Sequence, residues 1–219
     1  MTYVLFNPWR RASQLDKALV VGRRGRELEG INFAGEEHHS KNLQWITLTQ
    51  DDRMQNKKEF HEVWYTGRLS IVLFSMRDGQ IYIRGHGLPG EPWISSGDKE
   101  DTHDKAKLHA NDVVSRLTAS GLQTGFKGKI KCYNCHSAEA SLKSASFAQV
   151  FADAMWLAGY KQCTYWGYLG MLTSFYETRS NDPRLHKYAG YKEEFETGGW
   201  IIDDRRASER RMQIIPNAG

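Results

Sequence analysis

Two residues of this 219-residue chain have the type and setting for nucleophilic chemistry: His86, flanked by Gly85 and Gly87, and Cys135, inside the segment KIKCYNCHS at 129–137. A thiol attacks only as its thiolate, and an ordinary cysteine with a pKa near about 8.5 is mostly protonated at neutral pH. A neighbouring imidazole can take that proton and later return one to a leaving amine. Glycines on either side of His86 let a substrate backbone come close. The amide N–H of Gly87, together with that of Cys135, supplies two donors for the oxyanion of an acyl-transfer intermediate. Asn134 and Ser137 lie close enough in sequence to orient the nucleophile or line a substrate pocket, with turn capping as the alternative role. No Asp or Glu presents itself as a third catalytic member, so a His–Cys dyad is expected.

The same segment contains a C-x-x-C, Cys132 and Cys135, which raises redox and zinc chemistry. A structural zinc site needs four ligands, and the remaining cysteine, Cys163, stands alone, so no metal is expected. Thioredoxin-type chemistry needs both thiols in the first turn of a helix. A strand over 129–134 instead puts Cys132 on the same face as Ile130, where it reads as a small buried hydrophobe. Glu36-Glu37-His38-His39 and His61-Glu62 resemble metal motifs only in composition; the second lacks the further His of a zinc peptidase helix and reads as surface. The aromatic group Trp156, Tyr160, Tyr165, Trp166, Tyr168 and Phe175 reads first as core packing and second as a groove lining.

The elements that must hold these residues follow from periodicity. Strands are expected at 42–48, 69–74, 80–85, 129–134 and 162–168, and helices at 54–65, 105–119 (stopped by Gly121) and 146–158 (stopped by Gly159). Arg77-Asp78-Gly79 between two β-rich runs suggests a hairpin. Residues 200–202 and 212–215 suggest a closing hairpin. The segment 23–41 reads as a loop or insertion, and the loops 88–104, 137–144 and 169–190 as the lining of a specificity pocket. Strands alternating with helices argue for an α/β domain: a mainly parallel central sheet with helices on both faces, spanning 1–219 as one unit, with its core over about 42–170 and 171–219 as a closing extension. Parallel sheets present their sites at the carboxyl ends of strands, and the strands at 80–84 and 129–134 run directly into His86 and Cys135. As neighbours they would deliver both to one crevice.

Bulk properties narrow the function classes. Apolar residues make up 40% and charged residues 26%, as in a globular chain rather than a disordered one. Thirty Lys and Arg against 26 Asp and Glu leave +4, with no basic run longer than two, so neither a nucleic-acid partner nor a membrane partner is expected. The apolar run at the start is too short for a signal peptide and no later segment approaches a membrane span. Three cysteines do not make a disulfide framework, which points to a reducing, cytoplasmic setting. The oligomeric state is not legible.

An apolar strand ending in His-Gly, followed 49 positions later by a strand ending in Cys, resembles the pattern of the clan that includes caspases, clostripain, gingipains, legumain, separase and the self-processing cysteine peptidase domains of large bacterial toxins. The toxin domains look nearest, through IYIRGHG (81–87), KIKCYNCHS (129–137) and SFAQVFADAMWLAGYKQCTYWGY (146–168); the likeness covers about 69–170. It implies a caspase-like three-layer sandwich and an endopeptidase acting on a protein or peptide, with His86 as base, Cys135 as nucleophile, and Gly87 with Cys135 as oxyanion donors. It also implies a regulated role, such as an effector delivered into a target cytosol. The Gln-Ala-Cys of caspases is replaced by Tyr133-Asn134-Cys135, which removes the reason to expect an acidic-residue preference. The toxin domains respond to inositol hexakisphosphate through a basic surface; the modest charge here gives no ground for it, and no cofactor is expected. The rival readings are a caspase-like binding module that performs no chemistry and a thiol oxidoreductase using Cys132 and Cys135.

Overall fold

The computed structural model describes residues 2–9, 59–96, 107–172, 177–179, 182–186, 188–194 and 200–217. The expected strand at 42–48, the loop at 23–41 and His38-His39 lie outside them.

A six-stranded sheet forms the centre. It is built from β1 (Thr2–Asn7), β2 (Glu59–Trp64), β3 (Gln80–Arg84), β6 (Lys129–Tyr133), β7 (Thr164–Tyr168) and β13 (Arg211–Ile214), in the order β13-β7-β6-β3-β1-β2. Every neighbouring pair is parallel except β13 with β7. This is a mixed, mostly parallel sheet with helices, an α/β arrangement. The strand pattern explains it: Ile81 and Ile83, Ile130 and Cys132, and Tyr165 recur at every second position, and all are buried.

That apolar face meets helices α2 (Ala110–Ala119) and α3 (Phe147–Leu157). Val113, Val114 and Leu117 of α2 and Phe147, Phe151 and Met155 of α3 join the strand residues in one large cluster, with Phe151 edge-on to Tyr165 at 6.5 Å. Among the described residues the long helices therefore cover one face. The opposite face carries a ladder of rings, Tyr82, Tyr133 and Tyr168, each edge-on to the next at 5.5 and 5.3 Å. Near Tyr168 a small second cluster forms with Ala189 and Ala207, where the antiparallel sheet of β8 (Met171–Leu172), β11 (Tyr188–Glu194) and β12 (Trp200–Arg206) packs.

Several expected elements change. Residues 59–64, read as part of a helix, form β2 instead. Their apolar spacing at 60, 63 and 64 suits a helix, but pairing with β1 at all six positions decides the outcome. His61 and Glu62 thus alternate along a strand and cannot share a helical face.

The run 69–74 is not a strand but introduces the short helix α1 (Ile71–Ser75), whose first turn is capped by Ser70 Oγ accepting from Leu73 N at 3.4 Å. No hairpin exists there: β2 and β3 both run parallel to β1, one on each side, so 65–79 must cross over the sheet. Asp78-Gly79 still makes a turn, with Gly79 at φ +126° and its N–H donated to Asp78 Oδ1 at 2.6 Å.

The expected helix at 105–119 begins only at Ala110. His109 and Asp112 form a reciprocal cap, and Lys107–His109 is β5, antiparallel to β4 (Trp93–Ser95). The helix stops at Gly121 (φ +102°) and Gly159 (φ +95°) lie where the sequence puts them. The closing hairpin of 200–202 with 212–215 does not form: β12 pairs with β11, and β13 with β7. The strand β1, which lies between β3 and the edge strand β2, is not apparent from periodicity.

Candidate active site

The two strands that lead to His86 and Cys135 are hydrogen-bonded neighbours. Their parallel register runs from Gln80↔Lys129 to Arg84↔Tyr133, so His86 and Cys135 each stand two residues beyond the last paired step, at the same end of the sheet. The turns that follow are in contact. A β-carbon at Gly87 would lie 2.5 Å from the Cys135 carbonyl oxygen and 2.9 Å from Asn134 Nδ2, so only glycine admits this approach. His86 is pinned from its other side by Ser95 of β4: His86 N–H donates to Ser95 O and Ser95 N–H to His86 O, both at 2.9 Å. Its Nε2 is shielded from solvent.

Cys135 is half-buried, and its sulfur lies against the β8 backbone. Leu172 N–H donates to Sγ at 3.3 Å, and Sγ is 3.9 Å from Leu172 O. The turn that carries the cysteine is tied down residue by residue. His136 adopts φ +54°, donates its N–H to Gly170 O at 2.8 Å, and places Nδ1 3.0 Å from Glu139 Oε2. Ala138 N–H donates to Tyr168 O at 3.0 Å.

Ser137, expected on the pocket or at a cap, is 1% exposed. Its hydroxyl donates to Cys132 O at 2.7 Å and accepts from Tyr168 N at 2.8 Å, bridging β6 and β7 just where their ladder ends. Its carbonyl accepts from Ala148 N at 2.8 Å and so serves the open amino end of α3. These contacts tie the ends of β6 and β7 to the start of α3. Asn134 is 2% exposed, and among the described residues neither its Nδ2 nor its Oδ1 has a hydrogen-bond partner.

The other thiols occupy different surroundings. Cys132 is 1% exposed in the apolar core, where burial pushes its thiol pKa well up. Cys163 is buried beside Tyr160 and Tyr165, with Sγ 3.2 Å from Tyr165 Oη, and burial raises its pKa too. None of the three cysteines forms a disulfide.

Sequence reasoning did not find Ser95, Glu139, Gly170 or Leu172. Glu139 sits in a polar stretch with no periodic signal, and Leu172 is an unremarkable apolar residue 37 positions from the sulfur it touches. The roles of Ser95, Gly170 and Leu172 arise from backbone groups, which no residue type announces, and the Glu139 carboxylate meets a backbone amide 31 positions away. No helix among the described residues is long and apolar enough to cross a membrane. No protein-family model matches the chain, and no curated protein is significantly similar to it.

Proposed function

We propose that the chain is a cysteine endopeptidase of caspase-like, three-layer architecture, acting in a cytosol by a His86–Cys135 dyad on a protein or peptide substrate. The observation that supports this reading is the register of β3 on β6, which carries residues 86 and 135 to the same level, two positions beyond the last paired step of two adjacent parallel strands. His86 takes the Cys135 proton, and the thiolate adds to a peptide carbonyl. The Gly87 and Cys135 amides receive the oxyanion. Collapse releases the amine, protonated by His86, and leaves a thioester that water then resolves. The close contact of Gly87 with the Cys135 backbone supports the pairing of those two donors.

The oxidoreductase reading fits less well. Cys132 is sealed in the core with a raised pKa, while Cys135 faces β8. The test is cleavage of a mixed peptide library by wild type, Cys135→Ala, Cys132→Ala and His86→Ala. Activity should vanish in the first and third variants and persist in the second. Cleavage that survives Cys135→Ala refutes the proposal, and labelling of Cys135 without cleavage by any of the proteins favours a binding module.

A further inference from the structure

The loops that converge on Cys135 share one residue, Glu139. Glu139 Oε1 accepts from Gly170 N, and Oε2 lies 3.0 Å from His136 Nδ1, while its backbone carbonyl accepts from Gly90 N at 2.8 Å. Gly90 belongs to the loop that follows His86-Gly87, His136 to the turn that carries the nucleophile, and Gly170 to the turn that feeds β8. The carboxylate is mostly buried, at 17% exposed, and the His136 ring at 13%.

Two residues beyond Gly170, Leu172 N–H is the group that reaches the Cys135 sulfur. Gly170 itself has φ +77° and packs directly on the Gly190 backbone, so the turn has little room to settle elsewhere. Its amide is held by the Glu139 carboxylate, and its carbonyl by the N–H of His136. The path from Glu139 to sulfur is therefore short: a carboxylate–amide hydrogen bond at Gly170, the peptide links on to Leu172, and the Leu172 N–H on sulfur. A carboxylate accepting a backbone N–H gives a strong, charge-assisted bond.

We propose that Glu139 is a positioning residue of the site, fixing the Gly170–Leu172 backbone so that the Leu172 N–H stays aimed at Cys135 Sγ. It touches neither the sulfur nor His86 and acts through the β8 peptide. The inference rests on Cys135 as the reactive thiol, the reading given above, but does not require that the thiol cleaves peptides.

The experiment measures the pH dependence of iodoacetamide alkylation at Cys135, read by peptide mass spectrometry, on the full chain and its Glu139→Ala, Glu139→Asp and Glu139→Gln variants. Loss of one N–H donor to a thiolate should raise the midpoint by about one pH unit in the alanine variant. The shorter aspartate arm should give a similar rise, and it serves if the alanine variant does not fold. Glutamine keeps an oxygen acceptor for Gly170 N–H and should return the midpoint most of the way. A purely structural glutamate would lower the melting temperature and leave the midpoint where it was; that result, in whichever short-arm variant folds, overturns the proposal. Peptide cleavage measured in parallel separates the two ideas. A wild type that cleaves nothing while the midpoint still moves refutes the peptidase and keeps the positioning role. An active enzyme with an unmoved midpoint does the reverse.

Discussion

Replacing Ser137 with alanine removes one oxygen and should destabilise the fold more than any other single hydroxyl deletion near the site. The hydroxyl satisfies two backbone groups at once, Cys132 O at 2.7 Å and Tyr168 N at 2.8 Å, and both residues are under 5% exposed. Alanine leaves that carbonyl and that amide without the hydroxyl that joins them. An abandoned buried backbone group costs about 1–3 kcal/mol, so two of them should cost about 3 kcal/mol in sum once partial relaxation is allowed. For a chain of this size that corresponds to a fall in melting temperature of roughly 6–12 °C. Thermal and urea unfolding followed by circular dichroism provide the assay. The control is Ser115→Ala, on exposed α2, whose hydroxyl only returns to Asn111 O within its own helix and whose loss should stay within about 0.5 kcal/mol. A Ser137→Ala protein within 1 °C of wild type would falsify the bridge between β6 and β7 and, with it, the account of what holds the Cys135 turn.

Gly87→Ala should abolish cleavage and slow Cys135 alkylation at least tenfold, because the new methyl collides with the Cys135 carbonyl and must push the two turns apart; a folded variant with wild-type rates refutes the close approach. Under native conditions iodoacetamide should modify Cys135 well before Cys132 or Cys163, both buried with raised pKa, and equal labelling in the folded protein would contradict the placement. Lys131 lies 5% exposed between Gln80 Oε1 and Tyr82 Oη, and burial, followed by the charges of Arg211 and Lys129, pushes its pKa down to about 7. A lysine whose folded pKa lies below its unfolded value burdens the fold fully below pH 7 and is relieved as pH rises toward the unfolded value of about 10.4. Lys131→Met should therefore gain stability over wild type at pH 6 and lose most of that gain by pH 10, in paired urea melts; a pH-independent difference rejects the buried charge.

How far the sequence could be read depends on whether local pattern or distant pairing decides each element. Residues 129–133 and 80–84 alternate cleanly and feed Cys135 and His86, so the site's two strands were legible along with their order of approach. Helix α3 was legible because Ser146 caps it and Gly159 ends it, both local events. The segment 59–64 was misread because its apolar spacing serves either period, and only the presence of β1 beside it selects the strand. Residues 69–74 include the β-branched Ile71 and Val72 and the aromatic Phe74 yet lie on a crossover that two parallel strands force on the chain, which overrides their propensity. Cys135 was visible by type and spacing. Glu139 and the Leu172 amide were invisible, since the carboxylate of the first acts on a backbone amide 31 positions away and the second is itself a backbone group, both brought near by β7 and its turn.

The pairing of β13 with β7 has a practical consequence for the architecture. Tyr168 faces Arg211 in register, and Leu169 N–H donates to Arg210 O at 2.9 Å, so the chain leaves the central sheet and re-enters it at the same spot. The described residues between those points, the small antiparallel sheet included, belong to one long excursion of the chain with a closed neck. A tight four-residue link in place of these roughly forty residues would lower the entropic cost of closing that neck by about 2 kcal/mol. The trimmed protein is expected to keep its parallel strands and helices while its thiol loses the amide that greets it, so scaffold and reactivity become separable by one cut.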